Sequence, residues 1–216
     1  MNINPDCFEL LCTRCERLAD FLSQVRRDYP DYHGRPVPPF GDPDARLLVV
    51  GLAPGMHGAN ASGRPFTGDH AGILLYQTLH KFGFASAAQS TNLRDGLQLT
   101  DCRITNAVKC LPPQNKPTGA EVRLCNSFLA SELETVAPGG VVLALGSIAH
   151  QAVLRGCDLK PTSFKFGHAA EHPLPAGRRL LDSYHCSRYN TQTRRLTVDM
   201  FETVFRRARE LLDSTR

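Results

Sequence analysis

A short apolar run at residues 46–50 (RLLVV) leads into a loop rich in glycine and proline that extends to Asp69. The run is bounded by turn residues, which predicts a strand buried in a parallel sheet. A helical pattern follows at residues 71–80, so the loop delivers the chain to a helix N-terminus. Helix N-termini present unpaired backbone N–H groups and a positive dipole. We therefore predict that this loop borders a cleft suited to an anion or a polar ring.

Apolar runs alternate with helical patterns along most of the chain. Strands are predicted at residues 46–50, 102–108, 141–145 and 179–184, and helices at residues 6–28, 68–81, 118–136, 147–156 and 198–212. Thr118 and Glu121 have the spacing of a capping box, and residues 160–175 are predicted as an irregular or hairpin segment. This alternation predicts an α/β/α sandwich with a four-stranded, mainly parallel sheet, in a single domain over residues 1–216.

Ligands of such sheets bind at the carboxyl ends of the strands. In this chain those ends carry residues 51–55, residues 106–110, Gly146 and His185. Glycines in the first loop allow the backbone to approach a ligand closely. We expect these residues to line the functional site.

Composition and charge exclude few classes of protein. The net charge of +4 is mildly basic, so a nucleic-acid partner is allowed but not demanded. No apolar run reaches about 18 residues, and the N-terminus lacks the pattern of a signal peptide. We therefore expect a cytoplasmic chain whose eight cysteines are not paired as disulfides.

Four of the cysteines have informative spacing. Cys12 and Cys15 form a CxxC pair, and Cys110 and Cys125 follow far along the chain. Four thiolates can hold a structural zinc ion or a 4Fe–4S cluster, and buried free thiols are a third interpretation. Spacing alone favours neither metal.

The segments GLAPG and GRPFTGD, the KC-x-PP pattern around Cys110 and the segment that begins at His185 together resemble the iron–sulfur uracil-DNA glycosylases. The resemblance is closest to family 5 (type b), because Leu52 and Ala53 stand where family 4 has an acidic residue. It covers residues 12–197. Two positions depart from the family: Cys186 replaces a proline, and Arg194 replaces a glycine.

The resemblance implies a uracil-DNA glycosylase-like fold. It also implies a monofunctional enzyme that hydrolyses the N-glycosidic bond of uracil, and of other deaminated bases such as hypoxanthine and xanthine, to leave an abasic site. It further implies a structural 4Fe–4S cluster on Cys12, Cys15, Cys110 and Cys125, attached to the N-terminal helix, with zinc as the less favoured occupant. We expect a monomer that acts on damaged double- or single-stranded DNA, with no nucleotide cofactor and no membrane association.

The same resemblance assigns roles in the first loop. Phe66 would stack on the target base, although it fits a core aromatic as well. Asp69 would stabilise the cationic sugar or place the attacking water, although it also fits a helix N-cap. Arg64 is either a phosphate contact or a solvated charge. The backbone and side chains around the base would come from Gly51, Leu52, Ala53 and Gly55.

The other strand ends supply the remaining roles. Asn106 carries one acceptor and two donors, which suits the polar edge of a base, although it also suits a turn cap. His185 would stabilise the negative charge of the departing base. The segment that follows would wedge the duplex and contact phosphates, through Ser187, Arg188, Tyr189, Arg194 and Arg195. The resemblance implies no role for the other histidines, which include His150, although His168 and His172 could line the DNA groove.

Two other classes of function stay open. One is a non-catalytic iron–sulfur module that binds DNA or senses damage without hydrolysis. The other is a hydrolase or transferase for a free nucleoside or phosphate ester, with the glycine-rich loop as an anion cradle. That loop lacks the patterns of a P-loop and of a dinucleotide-binding fingerprint.

Overall fold

A six-stranded sheet lies at the centre of the computed structural model, which describes residues 7–214. The strands are β1 (Phe40–Gly41), β2 (Leu47–Gly51), β3 (Cys102–Asn106), β4 (Val141–Leu145), β5 (Glu171–Pro173) and β6 (Arg179–Ser183). Their spatial order is β1-β3-β2-β4-β6-β5, and the inner four strands run parallel. These four are the strands predicted from the sequence, so the α/β sandwich is confirmed.

The predicted number of strands was wrong, because an antiparallel strand is added at each edge of the sheet. Strand β1 has 2 residues and β5 has 3 residues. Strands this short are below the length at which alternation of apolar residues can be recognised. Strand β5 forms a hairpin with β6. Residues 160–175 were predicted as either an irregular or a hairpin segment, and the hairpin prediction agrees with this pairing.

Helices cover both faces of the sheet. They are α1 (Glu16–Asp28), α2 (Ala59–Ser62), α3 (His70–Lys81), α4 (Gly119–Thr135), α5 (Ser147–Gly156), α6 (Arg188–Gln192) and α7 (Val198–Ser214), with 3-10 turns at Pro113–Asn115 and Pro175–Gly177. Helices α3 and α7 pack on one face, and α1, α4 and α5 pack on the other. In the part of the chain that the structure describes, no helix is both long enough and apolar enough to cross a membrane.

The N-terminal helix begins later than the sequence pattern predicts. It starts at Glu16, with Cys15 at its N-cap, so Cys12 and Cys15 precede the helix instead of lying within it. The predicted apolar stripe is broken because Phe8 is buried, whereas Leu11 is 72% exposed. The start of the predicted segment, residue 6, lies outside the described residues.

Local sequence signals set the start of two other helices. Thr118 and Glu121 form the predicted capping box at the start of α4, with both reciprocal hydrogen bonds present. Asp69 is the N-cap of α3, and its side chain accepts a hydrogen bond from the Gly72 N–H at 2.9 Å. The parallel pairing of β2 with β3 places Gly51 directly beside Asn106 at their carboxyl ends.

Candidate active site

A cavity of about 440 Å³ opens at the carboxyl ends of the parallel strands. Its size is within the range of small-molecule pockets. Nine of the residues predicted from the sequence line it: Leu52, Ala53, Gly55, Phe66, Asp69, Asn106, Gly146, His185 and Ser187. The four segments that carry them are separated by long stretches of chain, and the sheet brings them together.

Phe66 is both a core residue and a wall of this cavity. It is 6% exposed and belongs to the core on the α3 side of the sheet, so both interpretations of this ring are compatible with its position. Its backbone has φ +55°, a conformation that non-glycine residues adopt rarely. The neighbouring Pro65 carbonyl accepts a hydrogen bond from Tyr76 Oη at 2.8 Å, which helps to fix the loop.

Gly51 allows this ring to lie close to the sheet. A Cβ atom at this position would lie 2.6 Å from Phe66 Cζ and would overlap Asn106 Oδ1. Gly55 is different, because a Cβ atom there meets nothing closer than Asp69 Oδ2 at 3.9 Å. Of these two glycines, Gly51 is therefore the one that the packing of the site requires.

Asp69 is the predicted helix cap, and its position is also compatible with the role at the sugar that the sequence left open. Its Oδ1 atom caps helix α3, while the carboxylate also lines the cavity. Burial raises the pKa of Asp69 above its usual value, although bonds from the Gly72 and Ala71 N–H groups partly oppose the shift. The cavity therefore contains a desolvated carboxylate that is held in a fixed orientation.

Asn106 lines the cavity with an amide that has no protein partner among the described residues, and the residue is 4% exposed. Its main chain is held by Lys109, whose Nζ donates to the Asn106 carbonyl at 3.0 Å. Lys109 Nζ also donates to Glu132 at 2.7 Å and to Thr105 Oγ1, and this cluster is buried. The free amide can therefore read the polar edge of a ligand from a rigid position.

His185 is a neutral imidazole at neutral pH. Burial lowers its pKa to about 4. Its ring stacks near Phe66, with the ring centroids 6.0 Å apart and the planes inclined by 29°. Its Nδ1 atom is buried without a hydrogen-bond partner in the described chain, and such orphan atoms often belong to functional sites. The ring can therefore serve as a neutral hydrogen-bond group beside a ligand.

The segment after His185 is anchored at its base and exposed at its tip. Asn190 Nδ2 donates to the His185 carbonyl at 2.8 Å, and Cys186, which replaces the family's proline, is fully buried in the core. Ser187 caps the short helix α6. Tyr189 is 70% exposed. The same segment carries three exposed arginines, Arg188, Arg194 and Arg195.

Arg64 does not have the position expected for a DNA contact. Its side chain is 4% exposed and forms an ion pair with Asp95 at 2.8 Å. Its guanidinium group also donates to Ser90 Oγ and lies 4.3 Å from the centroid of the Phe40 ring. The interpretation of Arg64 as a solvated charge is therefore wrong, and its buried ion pair argues against a phosphate contact.

The structure adds residues that the sequence did not single out. Asn115 reaches the cavity from the 3-10 turn after β3, where Gln114 and Asn115 both have positive φ angles. Ser147 and Ile148 line it from the start of α5. The sequence signal for both is Gly146 at the end of β4, because residues that follow a strand end border the same edge of the sheet.

The four spaced cysteines line one pocket, next to the part of the core that α1 and α4 form. All four are free thiols. Burial, followed by the charge of Cys125, raises the pKa of Cys15 to about 11. Burial and the other thiolates also raise the pKa of Cys110. The raised pKa values keep these two thiols protonated at neutral pH, so a metal centre bound here would have to displace their protons.

Fold and site together define a class of protein. The sequence model of the Uracil DNA glycosylase superfamily matches residues 38–209, and the chain belongs to this family. Within it, the chain is 46% identical to the type-5 uracil-DNA glycosylase of Thermus thermophilus, over 93% of each chain. It is 45% identical to the type-5 uracil-DNA glycosylase of Pyrobaculum aerophilum, over 91% of this chain and 87% of the relative. A type-4 relative from Archaeoglobus fulgidus is 36% identical over 70% of this chain. The resemblance to the type-5 branch is thereby confirmed.

Proposed function

We propose that this protein hydrolyses the N-glycosidic bond of uracil in DNA and leaves an abasic site. The observation that carries the proposal is the convergence of Phe66, Asp69, Asn106 and His185 on one cavity at the strand ends. The glycosidic bond is inaccessible inside a duplex, so the nucleotide must flip into that cavity. The basic, exposed segment after His185 is placed to contact the phosphates beside it.

Each side chain has a separate task. Phe66 stacks on the base, and Asn106 hydrogen-bonds its polar edge. As the bond breaks, negative charge develops on the base and positive charge on the sugar. The neutral His185 ring donates to the carbonyl oxygen of the base, which stabilises the anion. The Asp69 carboxylate stabilises the cationic sugar or orients the attacking water.

We also propose that Cys12, Cys15, Cys110 and Cys125 hold a 4Fe–4S cluster with a structural role. Their side chains line one pocket, and the KC-x-PP pattern around Cys110 favours a cluster over zinc. Four cysteine thiolates are the ligands that such a cluster requires, and it would link the segment before α1 to the segment after β3 and to α4.

The test of the function uses anaerobically purified protein and labelled duplexes that contain a single uracil or a single hypoxanthine. Alkali cleavage after incubation reports abasic sites. Cleavage of the uracil duplex is the expected result. Tight binding without cleavage would favour the non-catalytic module, and release of base only from free nucleosides would favour the small-molecule hydrolase.

Gly51→Ala is expected to lower the rate of uracil release at least about tenfold, because the added methyl group must displace Phe66 or Asn106. Gly119→Ala is the matched control, because Gly119 lies at the start of α4 and is not part of the cavity lining. The nearest atom to its added methyl group is the end of the flexible Arg123 side chain at 3.3 Å, so the rate should stay close to that of the wild type. Single-turnover assays of both variants make the comparison. Equal rates would show that the positions of Phe66 and Asn106 are not critical.

We further propose that the enzyme accepts hypoxanthine, because Ala53 leaves room in the cavity for a purine. Ala53→Tyr is expected to retain release of uracil and to lose most release of hypoxanthine. Ala53→Ser, which keeps the side chain small, should retain both. The ratio of the two single-turnover rates is the measurement, and an unchanged ratio in Ala53→Tyr would contradict the proposal.

A further inference from the structure

Three side chains with metal-binding atoms converge away from the base cavity and the cysteines. His150 lies on α5, His172 on β5 and Asp182 on β6, and their ligand atoms lie within 4.8 Å of one another. His150 Nδ1 is 2.8 Å from Asp182 Oδ1, and His172 Nε2 is 3.3 Å from Asp182 Oδ2. His150 and Asp182 are buried, whereas His172 is 13% exposed.

The pairing of β5 with β6 explains this convergence. His172 stands opposite Leu180 in the antiparallel ladder. Asp182 lies two residues further along β6, so its side chain is on the same face of the sheet as those of Leu180 and His172. Helix α5 packs on that face and brings in His150. The three groups therefore come from three elements that meet in one layer.

The hydrogen bonds of His150 leave its Nδ1 atom facing Asp182. Its Nε2 atom lies 3.1 Å from the Phe164 carbonyl oxygen, which can only accept, so Nε2 carries a hydrogen. In the neutral ring, Nδ1 then carries a lone pair directed at a carboxylate oxygen 2.8 Å away. Two acceptors at this separation repel each other unless a proton or a metal ion is shared between them.

We propose that His150 Nδ1, His172 Nε2 and a carboxylate oxygen of Asp182 bind a divalent transition-metal ion such as Zn²⁺. Two imidazoles and one carboxylate form a donor set that such ions prefer. The site joins α5 to the β5–β6 hairpin, and Asp182 lies on the strand that leads to His185. Its role is to hold this part of the sheet together.

The surroundings hold each ligand in place for a metal. The Phe164 carbonyl fixes the His150 ring in the tautomer that presents Nδ1, an arrangement common among metal-binding histidines. The Gly167 N–H donates to Asp182 Oδ2 at 3.3 Å. The His172 ring stacks on Phe164, with centroids 5.0 Å apart. His172 is also partly exposed, which gives an ion a path of entry.

The test is a Co²⁺ titration of the anaerobically purified full-length protein, followed by optical spectroscopy. One equivalent should produce the weak visible bands of cobalt bound to nitrogen and oxygen, without sulfur-to-cobalt charge transfer. Zn²⁺ should displace the cobalt and raise the midpoint of thermal unfolding. His172→Gln, at the partly exposed ligand, should weaken cobalt binding at least about tenfold.

His168→Gln is the matched control. This histidine lies just before the same hairpin and stacks on Tyr184 outside the proposed site, so the variant should bind cobalt as the wild type does. Equal binding by wild type and His172→Gln would overturn the proposal, and so would charge-transfer bands from the cysteines. The proposal would also fail if no metal bound and stability instead declined as pH rose through the pKa of His150. That result would identify a protonated His150 paired with Asp182.

Discussion

Asp69→Asn is expected to lower the single-turnover rate of uracil release by about 10²- to 10⁴-fold. The substitution removes the carboxylate that we assign to the sugar cation or the attacking water. It preserves the helix N-cap, because asparagine and aspartate cap helices about equally well. The midpoint of thermal unfolding should therefore stay close to that of the wild type, which separates the chemical role of Asp69 from its structural role.

Asp69→Ala provides the comparison, because it removes both roles. It should match Asp69→Asn in activity and should in addition lose about 1 kcal/mol of stability from the missing cap. If Asp69→Asn kept most of the wild-type rate while Asp69→Ala lost it, the residue would act only as a cap. The wild-type rate should also decline as pH falls through the raised pKa of Asp69, since protonation removes the charge.

His185→Ala is expected to lower the rate of uracil release by about 10²- to 10³-fold. Removing one hydrogen-bond donor to a developing anion typically has an effect of this size. His185→Gln keeps an N–H donor that is neutral at every pH and should recover part of the loss. Uracil and hypoxanthine duplexes should be affected alike, because both bases leave as anions. Equal rates for His185→Ala and His185→Gln would contradict the donor role.

The pH profile tests the neutral state of His185 directly. Its pKa of about 4 means that the ring is unprotonated across the neutral range. The rate should therefore not decline as pH rises through about 6.5, the ordinary value for histidine. A decline there would show that a protonated His185 acts as a general acid. Because the unfolded chain binds this proton more readily, His185 also makes the protein less stable as pH falls from about 6.5 to about 4.

Much of the cavity lining could be predicted because its residues occupy fixed places in a parallel sheet. Gly51 and Asn106 end neighbouring strands, so their proximity follows from the strand assignment alone. Asp69 and Thr118 were recognisable as caps because capping depends on local sequence. The type-5 resemblance then gave these positions chemical roles that strand ends by themselves do not specify.

Other features depended on contacts between distant segments. The sequence around Arg64 is typical of a loop and gives no sign that the side chain is buried. Only the folded structure shows its ion pair with Asp95 and its contact with the Phe40 ring. The triad of His150, His172 and Asp182 needs the pairing of β5 with β6, and β5 is too short to be recognised in advance. The start of α1 was misplaced because apolar spacing continued through a segment that folds as turns.

The buried cluster around Lys109 restricts how this sequence can change over generations. Replacing Lys109 or Glu132 alone leaves an unpaired buried charge, which costs about 3–5 kcal/mol. Replacing both with apolar residues of similar volume is often neutral. Replacing the two residues one after the other therefore passes through a variant that has lost a large part of its stability. Because Lys109 also donates to the Asn106 carbonyl, the ion pair restrains the residue whose amide we propose to read the base.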